Sequence, residues 1–283
     1  MPLPTGFPGP YHISHAGQEV GALNGPNHTE EIHEQEFCTF SIVARCQRTG
    51  ALGIAVATAV PAVGSNCSHI GSKIGAIATQ AWVNPYLGID GLEALRTGAP
   101  APEALDRLIR EDPRSDIRQL GIVDAHGRSA AYTGKNCEVW CGHLVADGCA
   151  IQGNMLVGGE VLTAMQAAFE AAPREELAER LLRALEAGDA SGGDHRGRQS
   201  AALKVVADEE YPLVDLRVDE HNAPVTELRR VFEVAKRQLQ PFAATFPTRA
   251  YPAGHEDYAV SALLALAPAR RPGAPSPPQA PPS

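Results

Sequence analysis

The sequence predicts a layered α+β sandwich, and three observations carry that reading. The first half alternates apolar and polar residues in short runs, the middle carries helical spacing, and strands return before a last amphipathic helix. The strict strand–helix alternation of a doubly wound parallel sheet is missing.

The elements follow in order. Phe40, Ile42 and Ala44 alternate with Thr39, Ser41 and Val43, residues 45–50 turn the chain, and Leu52 to Thr58 alternates again, which is a β-hairpin. Ile74 to Gln80 is a third strand. Gln119 to Asp124 and Ser129 to Tyr132 make a second hairpin around Asp124-Ala125-His126-Gly127, and Cys149 to Gln152 follows. Helical spacing is carried by Leu105, Leu108 and Ile109, by Val161, Leu162, Met165 and Phe169, and by Leu177, Leu181, Leu182 and Leu185. Gly188 is expected to stop the last of these as its C′ residue. Ala201 to Ala207 and Leu213 to Val218 return to strand character. A final helix is expected from about Pro224, capped by Asn222, with Val225, Leu228, Phe232, Ala235 and Leu239 on one face.

The domain limits come from composition. Residues 1–37 mix Pro, Gly, Asn, His and Glu without periodicity and read as a disordered leader or propeptide-like extension. Residues 38–240 hold the folded domain, and 241–283 form a C-terminal extension. Seven prolines from Pro268 onward predict an extended, polyproline-like tail.

Charge and hydropathy exclude several function classes. With 24 Lys+Arg against 33 Asp+Glu the net charge is −9, the opposite of a nucleic-acid binder. A hydrophobic share of 44% supplies a sizeable core. No apolar run approaches the roughly 20 residues needed to span a bilayer, so no membrane partner is expected. The first 37 residues lack the apolar segment of a secretory signal, and a chain of this size needs no disulfides among its six cysteines. A reduced, cytoplasmic setting is the expectation.

Four clusters of strand-end polar residues stand out, since such side chains are costly to bury unless partnered or used. Cys38-Thr39 opens the first strand directly after the leader. A thiol or hydroxyl there can act as a nucleophile, and removal of the leader would free an α-amine, with a pKa of about 7.7–8.0, to act as its base. Thr79-Gln80 ends a strand before the turn at Asn84-Pro85, and carboxamides donate to oxyanions in acyl transfer. Gln152-Gly153-Asn154 repeats the pattern. In GGDHRGRQSAAL (192–203), Asp194, Arg196, Arg198, Gln199 and Ser200 lie on a glycine-rich approach to a strand, and the Arg and amide donors suit a carboxylate or polarised carbonyl. That loop lacks the Lys-Ser/Thr ending of a phosphate-binding P-loop. Each cluster also has a plain reading, as strand residues and turn caps. Cys137, Cys141, His143 and Cys149 lack the paired short spacings of a structural zinc site, so no metal and no cofactor are expected.

Together the clusters resemble a bacterial and archaeal family of unknown function with the N-terminal nucleophile (Ntn) hydrolase fold. The resemblance rests on CTFSIVAR (38–45), GAIATQAWVNPYLGIDGLEAL (75–95), QLGIVDAHGRSAAYTG (119–134), CEVWCGH (137–143), IQGNMLVGGEV (151–161) and GGDHRGRQSAAL, and it spans about Cys38 to Gln240. It implies a four-layer αββα sandwich and an amidohydrolase acting on a small or peptide-like amide. In many relatives the residue matching Thr39 directly follows the initiator Met. Here Cys38 holds that place, so a free amine requires cleavage after Phe37, exposing Cys38, or after Cys38, exposing Thr39.

On this reading Cys38 or Thr39 attacks, and Gln80, Asn154 and Gln199 donate to the oxyanion or substrate. Asn84, Asp194, Arg196, Arg198 and Ser200 bind the substrate. The expected partners are a small-molecule amide and further copies of the chain in a homo-oligomer. The alternative is a non-catalytic ligand-binding protein on the same fold, associated with the cell wall.

Overall fold

Alternation in the first strand sets the architecture, because successive side chains must find separate apolar layers. In β1 (Thr39–Arg45), Phe40, Ile42 and Ala44 enter one core and Val43 enters another. The computed structural model describes residues 39–137 and 140–273. Residues 1–37, Cys38 and the tail from 274 onward lie outside the described residues.

Ten strands and seven α-helices are found among them. In chain order these are β1, β2 (Leu52–Thr58), β3 (Ser68–Gly71), β4 (Gly75–Ala81), α1 (Pro85–Arg96), α2 (Ala101–Glu111), β5 (Arg118–Asp124) and β6 (Ser129–Thr133). The order continues with β7 (Trp140–Ala146), β8 (Cys149–Leu156), α3 (Glu160–Glu170), α4 (Leu177–Ala190), β9 (Ser200–Val206), β10 (Pro212–Val218), α5 (Pro224–Gln238), α6 (Gln240–Ala243) and α7 (Tyr258–Ala265). The strands form two sheets, β10-β9-β2-β1-β8-β7 and β3-β4-β5-β6, and every ladder in them is antiparallel.

Three apolar cores follow from this order. Phe40 and Ile42 of β1 pack with Leu162 and Met165 of α3, Leu181 and Leu185 of α4, and Leu228 and Phe232 of α5. Val43, Ile54, Val56, Ala76, Ala78, Val123 and Ala202 fill the space between the two sheets. Ile77, Leu120 and Ile122 of the smaller sheet pack against Leu95 of α1 and Leu105 and Leu108 of α2. Each fully buried Leu, Ile or Phe contributes about 1.5–3 kcal/mol. Arg229 adds a polar link between helices, pairing from α5 with Glu179 at 2.7 Å and Glu186 at 2.7 Å on α4.

Several local expectations change. Gly188 does not end α4, which continues to Ala190; it is packed against Met165 and Phe40, and an added Cβ would lie 2.8 Å from Met165 Cγ. Asn222 does not cap α5. The N-cap is Ala223, and the His221 imidazole Nδ1 accepts the Ala223 N–H at 3.0 Å. Asn84-Pro85 is more than a turn, because it starts α1, where glycines at 88 and 91 dilute the apolar spacing. β3 and β7 lack clean alternation and emerge only as partners of β4 and β8. Pro268–Arg270 forms a 3-10 turn where an extended tail was expected.

The β5–β6 hairpin is held by Asp124, whose carboxylate accepts from the Ala101 N–H at 3.1 Å, the His126 N–H at 2.8 Å and the Arg128 guanidinium at 2.6 Å. Burial alone would raise its pKa, but these donors outweigh it and hold the carboxyl below its ordinary value. A depressed folded pKa gives stability that is complete above the unfolded value near 3.9 and is lost as pH falls through the folded one. Asp124→Ala should lose roughly 1–3 kcal/mol in urea unfolding at pH 7. That difference should shrink progressively as the pH is lowered below about 3.9, and urea unfolding along an acid series reads it.

Candidate functional site

One end of the space between the sheets is polar instead of apolar. Residues paired directly across antiparallel strands share a face, and the register sets Asn154 of β8, Thr39 of β1, Thr58 of β2 and Ser200 of β9 in one row. All four are buried. Thr39 Oγ1 and Thr58 Oγ1 lie 3.2 Å apart. The row shares its parity with Val43, Val56, Ala150 and Ala202 of the inter-sheet core, so it faces the smaller sheet.

That sheet answers with Gln80 of β4 and Gln119 of β5, both fully buried. Gln80 Nε2 donates to the Thr39 carbonyl at 3.1 Å and to Gln119 Oε1 at 2.8 Å, while Gln80 Oε1 accepts from the Ser41 hydroxyl at 2.5 Å. Asn154 Nδ2 donates to Gln119 Oε1 at 2.9 Å, and Gln119 Nε2 donates to the Gly153 carbonyl at 2.8 Å and to Thr133 Oγ1 at 2.9 Å. Gln152 Nε2 donates to Ser41 Oγ at 2.6 Å. Gln152 Oε1 is buried without a partner, against Gly121, where a Cβ would lie only 2.0 Å away. Glycine at 121 is therefore what admits this amide between the sheets.

Beside the row opens a cavity of about 470 Å³, in the usual range for small molecules. Thr39 and Gln80 supply polar groups to it; Val60, Val63, Trp82 and Val83 supply apolar wall. No carboxylate, imidazole or ammonium is among the described lining residues. The one titratable lining group is the Cys67 thiol, which complete burial pushes up to about 12. Three non-glycine residues at this end adopt left-handed backbone: Ala62 (φ 56°) in the cavity wall, Ala81 (φ 63°) beside Gln80, and Met155 (φ 50°) beside Asn154. Such strain costs about 1–3 kcal/mol per residue and gathers at functional sites.

Four of the other sequence-selected residues, Ser200, Asp194, Gln199 and Asn84, brace the surroundings of this cavity without lining it. Ser200 Oγ donates to the Val60 carbonyl at 2.6 Å and accepts the Val63 N–H at 3.1 Å, which pins the wall loop. Asp194 Oδ2 accepts the Ala59 N–H at 3.0 Å and pairs with Arg196 at 3.2 Å. Gln199 acts through its backbone, donating its N–H to the Thr58 carbonyl at 2.9 Å. Asn84 caps α1 through the Tyr86 N–H and donates to Asp112 at 3.2 Å. Asp112 in turn holds Arg118, whose guanidinium donates to the Trp82 carbonyl at 2.6 Å, so Asn84 belongs to a clamp on the wall. Arg198 is turned away, pairing with Asp189 of α4 at 2.5 Å. Cys38 lies outside the described residues.

Ser41, Thr58 and Gln119 are part of the site although sequence reasoning did not select them, and Gln152, noted only as a member of the Gln152-Gly153-Asn154 cluster, joins them. The usable signal was parity. In each strand the polar residue stands in register with apolar residues of the inter-sheet core, which marks it as buried between the sheets. The metal-suspect residues are scattered: Cys149 is in the helix-side core, His143 Nδ1 meets Thr133 Oγ1 at 2.8 Å, and Cys141 Sγ donates to the Cys137 carbonyl at 3.1 Å.

Comparison with known proteins gives a family and no activity. A crystal structure of a protein from Silicibacter pomeroyi that matches the same family model is 31% identical over 78% of this chain and 96% of its own, with a TM-score of 0.72. The Anbu (ancestral beta-subunit) protein of Yersinia bercovieri is 10% identical over 74% of this chain and 98% of its own, with a TM-score of 0.36, too loose to carry an argument. No curated protein matches. The family model covers residues 39–228, from the threonine of the polar row to Leu228 in the helix-side core, and the chain thus belongs to the family of unknown function DUF1028.

Proposed function

We propose that this protein is an N-terminal nucleophile amidohydrolase on a four-layer αββα sandwich, with Thr39 as the nucleophile. The observation that carries the reading is the place of Thr39: it opens an inner strand, sits at the cavity, and has no side-chain base there among the described residues to take its proton. Cleavage between Cys38 and Thr39 would supply that base as the freed α-amine, on the same residue as the hydroxyl. The amine takes the Oγ1 proton as Oγ1 attacks the substrate carbonyl, the proton passes to the leaving amine, and water then hydrolyses the acyl ester.

The amides divide the remaining work. Gln80 has its amide nitrogen committed to the Thr39 carbonyl and Gln119, so it positions the nucleophilic residue. Asn154 spends one N–H on Gln119 and stands directly across from Thr39, which suits its second N–H to the oxyanion. A lining of Val60, Val63, Trp82 and Val83, without a charged side chain, favours an uncharged acyl group. A ligand-binding protein on this fold is the second reading, favoured by the same want of a base while Thr39 remains an internal residue.

Intact-mass measurement separates the two, since the hydrolase requires a chain starting at Thr39. In that processed protein Thr39→Ala should lower amide hydrolysis by at least about 10³-fold, and Thr39→Ser should retain part of it. A protein that never begins at Thr39, or a processed one whose activity survives Thr39→Ala and depends on Cys38, overturns the assignment.

Asn154→Ala should cost about 10²–10³-fold in kcat with little change in KM. Activity should rise with pH through about 7.7–8.0, as the free amine loses its proton.

A further inference from the structure

The opposite end of β1, about 20 Å from Thr39 at strand rise, borders a second cavity of about 320 Å³. It is walled by the β1–β2 turn, the β7–β8 turn, the end of α3 and the side of α4. Three guanidiniums line it, from Arg45, Arg48 and Arg180. None is within 4 Å of a carboxylate among the described residues, although the chain carries an excess of acid and most of its other buried cations are paired. Arg45 is half-buried, and its Nε is enclosed without a hydrogen-bond partner among the described residues. Among the described residues the Arg180 guanidinium meets the Phe169 carbonyl at 3.2 Å and the Phe169 ring at 3.9 Å. Burial pushes its guanidinium below the ordinary value.

Asp147 and Glu170 line the same cavity, so the arginines outnumber the acids three to two, and both carboxylates are engaged by neutral amides. Gln47 Nε2 donates to Asp147 at 2.7 Å, and Gln166 Nε2 donates to Glu170 at 2.8 Å. Arg48 Nη2 donates to the Arg174 carbonyl at 3.4 Å, and the three guanidiniums keep further donors around a space large enough for a small molecule. Guanidinium is the side chain best matched to a planar or tetrahedral oxyanion.

The geometry points to a small-anion site at this end of the six-stranded sheet, taking a carboxylate or phosphate group on Arg45, Arg48 and Arg180, with the ligand's apolar part against Phe169. This site is separate from the Thr39 cavity and does not depend on the reaction proposed there.

The test is titration of the full chain with inorganic phosphate in one arm and succinate in the other. It is followed by calorimetry and thermal unfolding against sodium chloride of equal ionic strength. Saturable binding in the millimolar range or tighter, with a Tm that climbs with ligand concentration, is expected in at least one arm. The arm that responds distinguishes phosphate from carboxylate ligands. Arg45→Gln and Arg180→Gln should each weaken binding about tenfold or more, while Thr39→Ala leaves it unchanged. Arg48→Gln, on an exposed turn, gives the same reading if Arg180→Gln fails to fold. No saturable response to either anion up to about 10 mM, or equal binding by the arginine variants, would falsify the site.

Discussion

The need to satisfy buried carboxamides between two sheets governs the polar end of this molecule. Gln80, Gln119, Gln152 and Asn154 sit where the inter-sheet core would otherwise continue, and an unpaired buried amide costs about 1–3 kcal/mol. Their mutual bonds, together with the Thr39 and Gly153 carbonyls and the Ser41 hydroxyl, meet that cost for every amide group but Gln152 Oε1, and only if both sheets keep one register. A slip of one residue in β1 would turn Thr39 and Ser41 toward the helices and bring Phe40 against the amides. The network therefore fixes the relation of the sheets more sharply than the apolar core, whose Val, Ile and Ala side chains tolerate small shifts.

The cavity is a consequence of the same constraint. Its wall loop hangs from Ser200 and Asp194, its Trp82 side from the Asp112–Arg118 pair, and its polar groups from the amide network. Residues that never touch the cavity thus set its shape. The left-handed residues at 62, 81 and 155 fit this picture, since strained backbone persists only where its surroundings over-determine it. A site built this way is held rigid before any ligand arrives, and low exposure strengthens each dipole aimed into it.

Charge is distributed with equal economy. Buried or half-buried cations such as Arg118, Arg196 and Arg229 meet carboxylates, as the cost of desolvating a lone charge demands. The arginines at the β1–β2 turn and on α4 break that habit together and in one place. At the two ends of a single strand, β1, the protein thus presents an uncharged cavity with a hydroxyl and a cavity where three arginines outnumber two carboxylates that neutral amides hold.

The sequence by itself determined the mixed α+β class, both hairpins, the helices from 160 to 190 and the last two strands. In each of these the apolar period is unbroken, so local pattern and burial agree. It also determined that Thr39, Gln80 and Asn154 deserve attention, because polar residues at strand ends are costly to bury. Only the tertiary structure decided the rest. β7 carries no clean alternation and exists because β8 offers it an edge; α1 holds two glycines on its buried face, where packing overrides propensity. The same holds for the site. Gln119, Ser41 and Thr58 look like ordinary strand residues one at a time, and Arg198 looks like a ligand-binding residue until Asp189 is found beside it. Partners brought together from strands more than a hundred residues apart decide which of these side chains serve the cavity, and no local sequence pattern encodes that pairing.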